Sequence, residues 1–198
     1  MTPDLNRLMD NCRIRLPGVV DDILKLELYS VLNDFFQNSN SWNEDITFAV
    51  TPGVLEYPIT PSGVSKIVRL IGVANSDEQL VNAVMPDQDT VTLSISPNQT
   101  GVYTARVALT ISDPLTRDGY PEYPDWVLGS YLDEMIDGVL GRAMSQVAKP
   151  YSNERMAIYH TRRFKGGVAR AKVEWQHQNV YRGQNWSFPQ TFARRHSR

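Results

Sequence analysis

The chain is short of cysteine and of long hydrophobic runs. Cys12 is the single cysteine among 198 residues, which excludes an internal disulfide, and no CxxC pair or nearby histidine suggests a metal site. No apolar stretch approaches the roughly 18–20 residues that span a bilayer, and the amino terminus lacks the basic start and apolar run of a signal peptide. We therefore expect a cytoplasmic product with no membrane partner, in which Cys12 is a small core residue of a first helix.

Enzyme motifs are also absent from the sequence. Its three histidines are accompanied by no HExxH, GxSxG, P-loop or GxGxxG pattern. His160 falls on the apolar stripe of a helix, where we predict a hydrogen-bonded core histidine. Three neighbouring carboxylates lack further acids or histidines, so ion pairing or solvation is favoured over metal binding at Asp133, Glu134 and Asp137. The sequence thus predicts a non-catalytic protein without a metal or cofactor.

Acidic residues are scarce towards the carboxyl terminus. Residues 1–140 hold eight basic and twenty acidic residues, a balance of −12, whereas residues 141–198 hold twelve and two, a balance of +10. Such polarity predicts that one end of the chain meets an acidic partner. Nucleic acid, another protein and a neighbouring copy of the chain all satisfy this requirement.

The hydrophobic pattern changes period along the chain. Helical spacing runs from Pro3 to Leu16 and again over 19–36, after which alternation becomes common. The alternation over 103–111 predicts a strand with one wet face, and the turn-rich stretch 96–101 predicts the turn of a hairpin. The predicted fold class is α+β: a bundle of about four helices (1–45 and 113–178), an inserted small antiparallel β-sheet or sandwich (46–112) and an extended carboxyl-terminal arm (179–198).

The last two helices are predicted to pack as an antiparallel hairpin around a break at 148–153, with Ser152 as the N-cap of the second. The first has a broad apolar face that extends to Val147 and an acidic face opposite. Trp126 and Met144 also lie on that opposite side and imply a second contact. Packing of Trp126 against the preceding YPEYP loop is the alternative. The second helix has a strongly basic outer face.

The carboxyl-terminal residues 182–198 combine four arginines, three large aromatic side chains and a proline with no acidic residue. Disordered tails are usually poor in aromatic side chains, so this segment is predicted to dock against something. Its proline favours an extended peptide that lies in a groove. The residues of this predicted docking arm are Tyr181, Arg182, Trp186, Phe188, Phe192, Arg194 and Arg195.

The helical hairpin carries a family resemblance. The segment over about 120–178, which begins YPEYPDWVLGSYLDEM, resembles the helical core of the head-to-tail adaptor proteins of tailed bacteriophages, also called head-completion or connector proteins. The shared elements are the Pro-aromatic approach (Tyr123-Pro124, Trp126), a helix rich in small residues that ends at a Lys-Pro-Tyr-Ser-Asn break, and a helix with Tyr159 and Phe164. The order of elements over most of the chain is similar as well.

The resemblance implies a non-catalytic virion protein of the head–tail interface, made in the host cytoplasm, that forms an oligomeric ring, usually a dodecamer. It implies that the arm binds the portal protein, that a tail or nozzle protein binds the other side, and that genomic DNA passes through the channel without specific binding. Acidic and basic helix faces that alternate around a ring would give contacts that close. The predicted inter-subunit residues are Trp126, Asp133, Glu134, Asp137, Arg155, Arg162, Lys165, Arg170 and Lys172.

A nucleic-acid-binding accessory protein is the alternative. Arginines with interleaved aromatic side chains can neutralise phosphates and stack on bases, and the basic helix and arm offer both. Against this alternative, the acidic balance of the first 140 residues would repel a polyanion, and the strands lack an RNP-type aromatic pattern.

Overall fold

The computed structural model describes residues 3–63, 65–112 and 123–176. Within these ranges the chain forms four helices and seven strands, and all the strands lie between the second and third helices in sequence. The α+β class is therefore as predicted, whereas the arm lies outside the described residues. The helices are α1 (Pro3–Arg15), α2 (Asp21–Ser39), α3 (Trp126–Met144) and α4 (Glu154–Gln176). The strands are β1 (Asn43–Val50), β2 (Glu56–Pro58), β3 (Ser65–Ala74), β4 (Leu80–Val81), β5 (Ala83–Asp87), β6 (Thr90–Leu93) and β7 (Gly101–Ile111).

Local chemistry accounts for where the helices end. Asn40 follows α2 in the left-handed conformation with φ 54°, and its N–H donates to the Phe36 carbonyl at 3.1 Å, which satisfies an orphan acceptor of the last turn. The side-chain oxygen of Asn153 accepts from the N–H of Met156 at 3.1 Å and caps α4. The predicted cap, Ser152, is wrong because its hydroxyl instead donates to the Gln146 carbonyl.

The strands form two antiparallel sheets. The four-stranded sheet has the order β1-β7-β3-β4, and the three-stranded sheet has the order β2-β6-β5. Since β6 and β7 belong to different sheets, the predicted hairpin turn over 96–101 is wrong, and that segment crosses from one sheet to the other. The register of β7 is fixed on both sides, with Val107 opposite Glu44 of β1 and Leu70 of β3.

The end of β7 is buried on both faces. Val107 and Leu109 belong to the core between the sheets, while Ala108 and Thr110 on the other face are also buried. The Thr110 hydroxyl donates to the Asn33 side chain of α2 at 2.9 Å. The expected wet face is therefore wrong over 107–111, because α2 covers that side and joins the sheet to the helices.

The helices enclose a separate core. Its members come from all four helices, from Leu16 and Tyr151 beside them, and from Ile111 at the end of β7. Met144 belongs to this core, whereas Val147, placed on the apolar face by the sequence, is 89% exposed because α3 ends at Met144. Among the described helices, none combines the length and apolar character needed to cross a bilayer. The largest fully buried side chains of the helical core are Leu8, Met9, Leu16, Leu24, Leu28, Leu32, Phe35, Phe36, Ile111 and Leu128.

Candidate interaction surface

α3 and α4 pack antiparallel and approach closely at glycines. A Cβ added at Gly141 would lie 2.7 Å from Thr161 Oγ1 and 3.0 Å from its backbone nitrogen. One added at Gly167 would lie 2.8 Å from Glu134 Cβ, well inside the ordinary contact distance of about 3.5–4.0 Å. Gly167 therefore permits the close packing of α4 against α3. A Cβ at the adjacent Gly166 would meet open space.

Asp137 lies inside this helix contact. Its carboxylate forms an ion pair with Arg163, at 2.9 Å from Nε, and lies 2.7 Å from His160 Nδ1. Asp137 is 3% exposed and His160 is 5% exposed, so the prediction of a hydrogen-bonded core histidine is confirmed. The placement of Asp137 on an outer acidic face is wrong, because α4 covers that side of α3 and supplies both partners. Asp137 is therefore not available as an inter-subunit contact.

Glu134 and Arg170 also find partners within the hairpin. Arg170 Nη2 lies 2.9 Å from Glu134 Oε1, and its guanidinium carbon lies 5.0 Å from the centre of the Tyr131 ring. The Tyr131 hydroxyl donates to Glu174. Burial and this hydrogen bond raise the pKa of Tyr131 to about 12. These contacts join the first half of α3 to the second half of α4. Asp133, by contrast, is exposed.

The outer face of α4 carries cations that no described residue neutralises. Four basic side chains are exposed, and none forms an ion pair with another described residue. Three hydrophobic side chains between them are 48–50% exposed. At ~100° per residue all seven positions fall within one arc of the helix. We define the outer face of α4 as Arg155, Ile158, Tyr159, Arg162, Lys165, Lys172 and Val173.

An aromatic cleft lies where α3, α4 and the four-stranded sheet meet. Trp126 is 40% exposed, and its ring makes edge contacts with Phe36 and Tyr131 at 6.3 and 6.2 Å between centroids. Trp126 thus packs on α2 and on its own helix. Residues 113–122, which include part of the YPEYP loop, lie outside the described ranges. We define the aromatic cleft by its lining residues Ser41, Asn43, Arg106, Trp126, Ser130, Tyr131, Ala171, Glu174 and Trp175.

Sequence reasoning missed the internal partners of the charged residues and the cleft. The closely spaced Gly138 and Gly141, next to Asp137, are the signal that a second helix approaches this side of α3. The cleft joins residues far apart in sequence, such as Asn43 and Trp175, so no local pattern marks it. All the predicted arm residues, from Tyr181 onward, lie outside the described ranges.

Within the residues that the structure describes, no group of three His, Cys, Asp or Glu side chains could hold a metal ion. Cys12 is fully buried in the helical core, as predicted. No family model matches the chain, and no curated protein matches it.

Proposed function

We propose that the chain is a non-catalytic structural protein that assembles into an oligomeric ring and joins the portal to the tail of a bacteriophage virion. The observation that carries this proposal is the outer face of α4. This face combines half-exposed hydrophobic side chains with cations that form no ion pair within the described part of the chain, on a regular helix. The resemblance of the hairpin to head-to-tail adaptors supports the same function.

The composition of this face favours contact with a protein partner over exposure to water. Exposed hydrophobic side chains gain free energy when a partner covers them, and aromatic residues with arginines are the usual anchors of protein interfaces. Ile158, Tyr159 and Val173 supply the apolar part, and the cations around them would guide an acidic surface into place.

The rest of the chain offers acidic surface for such a contact. Asp77 and Glu78 lie in the turn between β3 and β4, and Asp87 and Asp89 lie beside the turn between β5 and β6; all four are exposed. Because the basic and acidic surfaces belong to different parts of one chain, a contact between copies would be head-to-tail. Such contacts generate a ring when the rotation closes.

Charge reversal on the outer face tests this proposal. Arg162 and Lys165 form no ion pair with another described residue, so the double variant Arg162→Glu/Lys165→Glu removes none. The matched control Arg7→Glu/Arg15→Glu makes the same charge change on α1. Molar mass is measured by light scattering, for the chain alone and after mixing with the portal ring from the same genome. We expect a multi-subunit complex for the unaltered chain and the control, and its loss in the α4 variant. A complex that survives the α4 reversal would contradict the role of this face.

Nucleic-acid binding is the second candidate function, and the four unneutralised cations favour it. If all four contact phosphates, the affinity for duplex DNA should fall with salt with a logarithmic slope of about −3 to −4. Fluorescence anisotropy of a labelled duplex across a salt series measures that slope. The variant Ile158→Ser/Val173→Ser separates the two functions, because it should weaken a protein contact and leave phosphate binding unchanged.

A further inference from the structure

The aromatic cleft is a second surface that the proposed ring contact does not use. Trp126 and Trp175 line it, and Trp126 leaves a large part of its indole in water. Side chains with polar atoms surround these rings, including Asn43, Ser130 and the partly exposed Glu174. A cleft of about 570 Å³ in which polar side chains surround three aromatic rings has the form of a site for one large side chain and a short stretch of backbone.

The chain itself supplies a matching segment beside this cleft. α4 ends at Gln176, one residue after the cleft residue Trp175. Twenty-two residues follow, with four arginines and no acidic residue. Trp186 is ten residues beyond Gln176, a reach of at most about 33–36 Å when extended, which is ample for a return to the cleft. A tether this short gives an effective concentration in the millimolar range, far above that of a separate chain.

We propose that the aromatic cleft binds residues 180–188 of the same chain, with the Trp186 indole against Trp126 and Trp175. Burial of Trp186 removes apolar surface from water on both sides of the contact. Arg182 lies between Gln176 and Trp186 in the chain, where it can pair with Glu174, whose nearest cation is Arg170 at 3.5 Å. The arm is then held on its own chain until a partner with a better site displaces it.

Disulfide trapping in the full chain tests this contact without any partner protein. The variant Ser130→Cys/Ser187→Cys places one thiol at the cleft and one beside Trp186. The matched control Ser145→Cys/Ser187→Cys uses the exposed serine that directly follows α3, about 22 Å from Ser130 along the helix axis. Cys12 does not interfere, because it is fully buried and burial raises the pKa of its thiol to about 12. The rate of intramolecular closure under a mild oxidant is followed by mass spectrometry of the non-reduced protein.

Docking predicts faster closure at the cleft than in the control, but tethering alone would also favour the nearer site. The deciding comparison is therefore Trp186→Ala added to Ser130→Cys/Ser187→Cys. We expect closure to slow about tenfold, as for the loss of one buried aromatic anchor. An unchanged rate would overturn the proposal. A disulfide that forms mainly between chains, in proportion to protein concentration, would also overturn it and would assign the cleft to the arm of another copy.

The proposal does not rest on the ring function, and the two can fail separately. Trapping is measured on the chain alone, so it is independent of the portal and of the outer face of α4. Arg162→Glu/Lys165→Glu should leave the closure rate unchanged, because neither residue lines the cleft.

Discussion

Substitution of two adjacent glycines in α4 gives the sharpest prediction about how the hairpin packs. Gly166 and Gly167 lie in the same helix, one exposed and one buried. Replacing either glycine by alanine should gain about 1 kcal/mol of helix propensity. The two variants therefore differ only in what the new methyl group meets.

At Gly167 the added Cβ overlaps the side chain of Glu134 and lies 2.8 Å from its Cβ. Either α4 moves away from α3, or Glu134 turns and gives up its 2.9 Å ion pair with Arg170. Overpacking of this kind costs about 1–3 kcal/mol, so Gly167→Ala should lower the free energy of unfolding by up to about 2 kcal/mol after the propensity gain of about 1 kcal/mol. At Gly166 the methyl group meets nothing within 4 Å. Gly166→Ala should therefore raise the free energy of unfolding by about 0.5–1 kcal/mol.

Urea unfolding followed by far-ultraviolet circular dichroism measures both changes, with the slope m as a check that compactness is unchanged. The expected result is opposite shifts of the midpoint for neighbouring residues. Equal stabilisation by both alanines would refute the close approach of α3 and α4 at this point.

Three further predictions concern buried or paired groups. Asp137→Asn should lower the free energy of unfolding by about 1–3 kcal/mol in thermal melts, because it weakens two buried polar contacts, whereas exposed Asp133→Asn should change it by less than about 0.5 kcal/mol. The Cys12 thiol should resist a thiol reagent at pH 8 until the protein unfolds, since burial raises its pKa to about 12; rapid native labelling would contradict this burial. The hydrogen bonds from Arg106 lower the pKa of Asp45 below its ordinary 3.8. The contribution of the Asp45–Arg106 pair to stability should be complete above about pH 4 and should fade as the pH falls further. The difference in free energy of unfolding between the unaltered chain and Asp45→Asn should therefore shrink at low pH. Because both side chains are half exposed, this difference stays below about 1 kcal/mol.

The sequence predicted the helices and the strand over 103–111 well because their periods are local properties. The predicted ends of α1 and the strand over 103–111 agree with the structure. The sheet pairing could not be read in the same way. The stretch 96–101 has the composition of a hairpin turn, yet β6 and β7 pair with other strands, and pairing depends on contacts distant in sequence.

In the candidate interaction surface, too, the local features were predicted and the contacts between helices were not. The basic outer face of α4 follows from helical spacing alone, and Arg155, Arg162, Lys165 and Lys172 are exposed as predicted. Asp137 was misplaced because a wheel drawn for one helix takes no account of the helix that packs against it. The small side chains beside it would have corrected the error, since close helix approach needs them.

Negative-stain images of the chain mixed with the portal ring from the same genome show whether the chain assembles into a ring on the portal. We expect class averages in which a second closed ring lies against the portal. Portal rings with no added density, together with a chain that stays strictly monomeric in the mixture, would contradict it.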